Sequence, residues 1–160
     1  MIAEILNFLL FGGLAALGFG LLFNVPKRTL PMIFAGGALS VLTRNGLFQF
    51  FGFSFELASF LGAFVAGFWS VIWVHRVHVP GSVIGIAAII PLVPGVFAYK
   101  GLMGVVNLNL VAPSAQPELL VDTISFLAKA FLIVSGIAIG MSIPIIMDRK
   151  WTERKRSGGV

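Results

Sequence analysis

Three basic side chains lie inside stretches of the chain that are otherwise apolar: Arg44, Lys100 and Lys129. A charged side chain at the centre of a membrane-spanning helix costs about 2.5–3.5 kcal/mol on insertion scales, so such residues usually face an interior cavity. A planar guanidinium can hold a carboxylate through two parallel hydrogen bonds. Arg44 is therefore the predicted clamp for a small carboxylate. The alternative is that the three cations reach outward to acidic residues at the membrane surface and only anchor their helices.

The composition of the chain indicates that these cations lie in a membrane protein. The chain has 160 residues, of which 58% are hydrophobic and 11% charged, and its mean hydropathy is +1.02. These values exclude an ordinary soluble domain and predict an all-α polytopic membrane protein with one integral membrane domain over residues 1–148. Five stretches are long enough to cross about 30 Å of hydrocarbon as helices. They are residues 5–23, 31–51, 55–74, 83–106 and 124–147.

The basic residues outside the spans predict the orientation. Eight of the eleven lie in Lys27-Arg28, at Arg76 and in the tail of residues 149–160, which follow the first, third and fifth spans. Short basic segments stay in the cytoplasm, so the N-terminus is predicted outside and the C-terminus inside. A basic run beside a span orients the chain and contacts anionic lipid, so nucleic-acid binding is not predicted.

The fourth span contains two prolines and a glycine at its centre, Pro91, Pro94 and Gly95. Each proline removes a backbone donor and blocks a carbonyl, and lipid cannot replace the lost hydrogen bonds. This backbone must therefore face protein or a water-filled cavity, and broken helices of this kind form the substrate sites of many secondary transporters. The alternative is a structural kink, which is common in membrane helices.

The helical spacing predicts which faces pack together. Ser40 and Arg44 are four residues apart on a stripe of small and polar residues in the second span. If each span is a straight helix, the three cations all lie about 8–10 Å below the outer boundary. In the fifth span, Gly136 and Gly140 have the spacing of close helix contacts.

Groups that carry protons or bind metals are scarce in the spans. Glu56 and Asp122, near the outer ends of two spans, are the candidates for ion coupling. His75 and His78 lie three apart but lack further ligands, so no metal site and no cofactor is predicted. The absence of cysteine excludes disulfides and thiolate catalysis, and no nucleophile, base and acid share a depth, so an enzyme is not expected.

Several of these segments together resemble a known transporter family. Residues 23–28 (Phe-Asn-Val-Pro-Lys-Arg), the buried Arg44 and residues 89–95 (Ile-Ile-Pro-Leu-Val-Pro-Gly) with Tyr99 following are similar to the threonine/serine exporter family. The similarity is to its short, split-subunit form and extends from about Leu9 to Pro144.

This resemblance implies export of threonine and serine, or of a dicarboxylate such as succinate, driven by an ion gradient across the bacterial inner membrane. It also implies a second, larger subunit that carries the other membrane half, and it adds Tyr99 to the candidate substrate site. A homo-oligomer is compatible with the same patterns. The competing hypothesis is a channel or a structural membrane subunit without a substrate site of its own.

Overall fold

The computed structural model describes residues 2–77, 79–110 and 116–157, and these residues form helices joined by short connections, without a strand among them. The helices are α1 (Ile2–Leu22), α2 (Leu30–Phe51), α3 (Phe55–Val77), α4 (Gly81–Ile89), α5 (Gly95–Leu108) and α6 (Gln116–Ser157). A short 3₁₀ turn, Lys27–Thr29, precedes α2, and a second, Ile90–Leu92, follows α4. The all-α fold class is confirmed.

The connections follow from residues that stop helices. Gly52 caps α2 with a φ of 67°, and its N–H donates to the carbonyl of Leu47. This left-handed conformation is open to glycine at little cost, and it is a common way in which a helix ends. Asn24, with a φ of 52°, makes the corresponding turn after α1.

Small residues bring the helices into close contact. An added side-chain carbon at Gly12 would lie 3.0 Å from the carbonyl oxygen of Gly37, so α1 and α2 touch through their backbones. At Gly67 such a carbon would lie 2.7 Å from the carbonyl oxygen of Met141, and Gly140 faces the backbone of Phe60 in the same α3–α6 contact. The prediction that Gly140 mediates close packing is confirmed. Such backbone contacts replace the hydrophobic effect, which lipid does not supply.

Three helices are long and apolar enough to cross a membrane by themselves, in the ranges 2–22, 55–74 and 117–154. The helices at 81–92 and 95–108 are long and apolar enough only when they are taken together, and this pair is bent by 60° at the break. Helix α2 has 22 residues but carries Arg44 and other polar side chains, and it is not among the helices that are apolar enough to cross a membrane alone. The described helices therefore give three spans, or four with the bent pair, and the fifth span stays a prediction.

Helix α6 is longer than the predicted fifth span. It has 42 residues, about 63 Å at 1.5 Å per residue, and begins at Gln116 rather than at residue 124. Pro117 does not prevent this start, because proline is accepted in the first turn of a helix. No breaker follows Met147, so the helix continues into the basic tail. It passes through Pro144, which is buried.

Candidate functional site

The interruption between α4 and α5 is a stretch of backbone with hydrogen bonds of its own. Helix α4 ends at Ile89, and the N–H of Val93 donates to the carbonyl of Ile90 over 3.0 Å. Pro94 has φ −81° and ψ 59°, and the N–H of Gly95 donates across it to the carbonyl of Val93 over 2.9 Å. These values describe an inverse γ-turn. The chain thus changes direction within three residues and exposes carbonyls of the 3₁₀ turn to a neighbouring helix.

Arg44 of α2 donates to those carbonyls. Its Nη1 lies 3.4 Å from the carbonyl oxygen of Pro91 and 3.2 Å from that of Leu92, and its Nε lies 3.0 Å from Oδ1 of Asn45. The guanidinium also lies over the ring of Phe55, 5.1 Å from its centroid, at a distance suited to a cation–π contact. Four neighbours therefore fix the guanidinium plane. Its Nη2 is the nitrogen that the three hydrogen bonds do not use.

Ser40, one turn before Arg44 on α2, supports the end of α4. Its side chain is fully buried, and its Oγ lies 3.1 Å from the carbonyl oxygen of Ala88 and 2.9 Å from that of Gly37. A hydroxyl has one hydrogen to donate, so the two carbonyls share it. Ser40 thus donates to the carbonyl of Ala88, at the end of α4, and Arg44 donates to those of Pro91 and Leu92, in the 3₁₀ turn that follows. The predicted stripe on α2 is the part of the molecule that holds the break.

Packing against α3 and α6 holds this region in place. Leu92 is fully buried in a cluster with Val41 of α2, Ala63 of α3 and Ile133 of α6. A side-chain carbon added at Gly62 would lie 2.7 Å from the carbonyl oxygen of Ser40 and 3.4 Å from Cβ of Arg44. Gly62 is therefore what lets α3 approach α2 at the level of the guanidinium.

Sequence reasoning missed Gly62, Asn45 and Phe55 as parts of this site. Ser59, Ala63 and Gly67 form a stripe of small residues at intervals of four on α3. Gly62 is not part of this stripe, so periodicity does not identify it. Asn45 directly follows Arg44, and an amide next to a buried cation is the one local signal that indicates a partner. Nothing local indicates Phe55, because its contact depends on how α3 is placed against α2.

The other predicted site residues are divided between the break and the surface. Pro91 and Pro94 lie at the break beside Arg44, where Pro94 is buried, and Gly95 is exposed with open space around its Cα. Tyr99, Lys100, Lys129 and Asp122 have exposed side chains, whereas Glu56 is half-buried at the start of α3. The described hydrogen bonds and ring contacts do not bring these five side chains to the guanidinium of Arg44. His78 and the side chain of His75 lie outside the described residues.

The three cations do not share one level. Gly136 of α6 lies beside the backbone of Glu56, so Lys129, seven residues earlier, lies beyond the start of α3. Arg44 lies beside Gly62, six residues into α3, so the backbones of Arg44 and Lys129 differ in level by more than about 10 Å. Lys100 is on α5, which bends away from α4, and the straight-helix assumption fails there. The expected common tier of three cations is therefore wrong.

A row of aromatic rings connects the break to α5 and α6. The Phe55 ring, under Arg44, meets that of Phe97 at 5.7 Å between centroids, and Phe97 meets Phe126 at 6.4 Å. At the far end, Nζ of Lys100 lies 5.3 Å from the centroid of Phe126. The two cations are thus at opposite ends of an apolar row.

A cavity of about 370 Å³ lies at the other end of the bundle, between α3, α4 and α6. Ser82 at the start of α4 and Ser142, Asp148 and Arg149 of α6 contribute its polar groups, and apolar side chains form the rest. It is open to the surface at the end of the molecule where the basic tail begins.

The chain matches the family model described as Threonine/Serine exporter, ThrE, over residues 9–147. It belongs to the threonine/serine exporter family. The matched range contains the whole of the break, Arg44 and Ser40. Membership supports a membrane exporter role and a multi-pass membrane protein. No solved structure matches the chain.

Proposed function

We propose that the chain is a membrane subunit of a secondary exporter for small carboxylated metabolites and that it works with a second, larger subunit in the bacterial inner membrane. The cargo is threonine and serine, or a dicarboxylate such as succinate. One observation carries the proposal: a partly buried guanidinium, fixed by three hydrogen bonds, lies against the interrupted backbone between α4 and α5.

The proposed membrane placement has five spans, with the N-terminus outside and residues 149–160 in the cytoplasm. Helices α1, α2 and α3 have 21, 22 and 23 residues, enough for about 30 Å of hydrocarbon. In α6, residues 130–147 carry no charge, and 18 residues rise about 27 Å. Lys129 and Asp148 then mark the two boundaries of the hydrocarbon on this helix.

The substrate carboxylate binds at Arg44 through Nη2, with the guanidinium already oriented by its other contacts. A bidentate clamp needs a second nitrogen, and Nε is the one available once its bond to Oδ1 of Asn45 is exchanged for the carboxylate. Nη1 meanwhile stays on the carbonyls of Pro91 and Leu92. Binding of the cargo is thereby linked to the position of the break, which is the element around which access alternates.

The cavity at the opposite end of the bundle supports entry from the cytoplasm. It lies at the end with the basic tail and offers hydroxyl groups from Ser82 and Ser142. A metabolite that enters there must pass along α4 to reach Arg44. Export requires this path to close and a path on the outer side of the break to open.

Ion coupling is assigned to Glu56, with Asp122 as the second candidate and the partner subunit as the third. Glu56 is half-buried and directly follows Phe55, whose ring lies under the Arg44 guanidinium. Asp122 is exposed near the start of α6, so it is the poorer candidate. Tyr99, Lys100 and Lys129 join a substrate path only if a partner covers them.

A scaffold or channel subunit without its own substrate site is the second candidate function. The hydrogen bonds of Arg44 favour it in one respect, because they all go to protein groups and satisfy carbonyls that the break leaves without helical partners. In that case Arg44 stabilises the fold, and the larger subunit carries the substrate.

Replacement of Arg44 separates the two functions. Arg44→Gln keeps an N–H donor at about the position of Nε but removes the charge and the reach to the carbonyls of Pro91 and Leu92, whereas Arg44→Lys keeps the charge. With the purified two-subunit complex in proteoliposomes, we expect Arg44→Gln to reduce export of threonine, serine or succinate about 10- to 100-fold, the worth of a charge-assisted hydrogen bond. Arg44→Lys should retain part of the activity, and both variants should still assemble. Unchanged export by assembled Arg44→Gln would establish the scaffold function instead.

A further inference from the structure

Helix α5 and the first part of α6, residues 116–129, form a hairpin that extends past the rest of the bundle. Gly101 and Gly104 of α5 face Leu127 and Thr123 of α6, and α5 packs chiefly on this helix. Gly136 marks the level of Glu56 near the start of α3, so residues 116–129 of α6 lie beyond it. From Gly101 onward, α5 therefore lies on the side of Lys129 away from the uncharged run at 130–147, whereas its first turn lies beside the start of that run.

The face of α5 that points away from α6 is apolar and uncovered. Val96, Tyr99, Met103 and Val106 are 67%, 64%, 41% and 53% exposed and follow one another at intervals of three, four and three residues. We name these four residues the α5 ridge. This spacing forms a straight seam along a helix and is the pattern by which one helix packs against another. A seam that continues past the lipid tails into water needs a protein cover.

The charges around the α5 ridge indicate which charge a partner on this surface must have. Gly101 faces Leu127, so Lys100 and Lys129 lie at about one level on the hairpin. Lys100 contacts the Phe126 ring, and among the described residues the structure gives neither lysine a carboxylate partner. Asp122, seven residues before Lys129, lies about 10 Å nearer the hairpin tip. In the described parts of the chain, the two lysines thus lie at one level without a carboxylate beside them.

This charge pattern favours a partner over a second copy of the chain. Two copies inserted in the same orientation about an axis normal to the membrane place equivalent residues at the same level. A second copy therefore adds two more lysines at the level that already lacks an anion. A helix of another protein with a carboxylate beside Lys100 offsets the charge and covers the seam.

We infer that the α5 ridge is the docking surface for one helix of the larger exporter subunit and that this helix carries a carboxylate that faces Lys100. The inference rests on the proposed function for the existence of that subunit. It assigns Tyr99 and Lys100 to the interface between subunits rather than to the substrate site.

Cross-linking tests the surface directly, because the chain contains no cysteine and each introduced thiol is unique. Tyr99→Cys and Val106→Cys, labelled with benzophenone maleimide and irradiated in membranes that also contain the larger subunit of the same organism, should form an adduct with that subunit. Leu14→Cys, on the exposed side of α1 at 54% exposure, is the control and should not. An adduct of twice the 17.1 kDa chain would overturn the inference in favour of a second copy, and labelling without any protein adduct would overturn it in favour of lipid.

A charge reversal tests the chemistry of the partner. Lys100→Glu should lower the yield of the Tyr99→Cys adduct at least about tenfold, because like charges then meet at the interface. Lys150→Glu, the same change in the basic tail, should leave the yield unaltered. An unaltered yield with Lys100→Glu would refute the carboxylate. These measurements need no transport, so loss of docking with normal Arg44-dependent export would refute this inference alone, and normal docking with export that does not depend on Arg44 would refute the proposed function alone.

Discussion

The break between α4 and α5 and the hairpin of α5 and α6 are adjacent, but they differ in what the chain supplies. At the break, Arg44 and Ser40 donate to exposed carbonyls, and Leu92 is fully buried. On the hairpin, large apolar side chains and two lysines are exposed. At the break, other residues of the chain bind the exposed carbonyls. On the hairpin, the apolar side chains and the two lysines are left uncovered by the described residues. The difference agrees with the proposed site at the break and the proposed interface on the hairpin.

Truncation of one leucine in each region should show the largest contrast. Leu92→Ala leaves a cavity in the cluster at the break, and we expect it to lower the free energy of unfolding in detergent by about 2 kcal/mol or more. Leu102→Ala on α5, where Leu102 is 63% exposed, should change the stability of the isolated chain by less than about 0.5 kcal/mol. Thermal unfolding of the two purified variants measures both values. Equal losses would contradict the division between the regions.

Alanine substitutions at two glycines, one in close contact with a neighbouring helix and one in open space, test which kind of glycine matters for stability near the break. In Gly62→Ala, the new methyl group would lie 2.7 Å from the backbone oxygen of Ser40, which has no side-chain freedom to move. We expect a loss of about 1–3 kcal/mol, typical of overpacking. Gly95→Ala meets nothing within 4 Å and should be neutral or slightly stabilising. Denaturation midpoints compare them, and a larger loss for Gly95→Ala would show that the turn depends on glycine itself.

Hydroxyl groups give the smallest expected contrast. Ser40→Ala leaves the carbonyl of Ala88 without its donor in a buried position, which should cost about 1 kcal/mol. Ser142→Ala removes an exposed hydroxyl that bonds the carbonyl of Ala138 in its own helix, and we expect little change in stability. If the two variants unfold at the same temperature, the link between Ser40 and α4 contributes nothing measurable.

The sequence predicted the parts of the site that depend on local chemistry. Two prolines and a glycine indicate where backbone hydrogen bonds are lost, and the four-residue spacing of Ser40 and Arg44 indicates which face of α2 meets that backbone. The level of Lys129 was not predictable in this way, because it depends on the register between α3 and α6. Gly62 escaped for the same reason, since its role appears only when α2 lies beside it.

Helix α6 extends beyond the predicted span of residues 124–147 at both ends for a different reason. Pro117 and the charges after Met147 suggest boundaries, yet neither stops the helix, which runs from Gln116 to Ser157. Polar residues at a membrane boundary determine how deep a helix lies in the membrane, but they do not determine where the helix begins and ends. Residues 111–115, which connect α5 to α6, lie outside the described residues.

The length of α6 has a mechanical consequence. If this helix tilts as a rigid rod, it turns about its contacts with α3 at Gly136 and Gly140, which lie near its middle. A tilt of about 5° would move the Asp148 end, eight residues from Gly140, by about 1 Å, and the Gln116 end by about 3 Å in the opposite direction. A displacement of the Gln116 end would therefore change the width of the cavity beside Asp148, without any bond between the two ends.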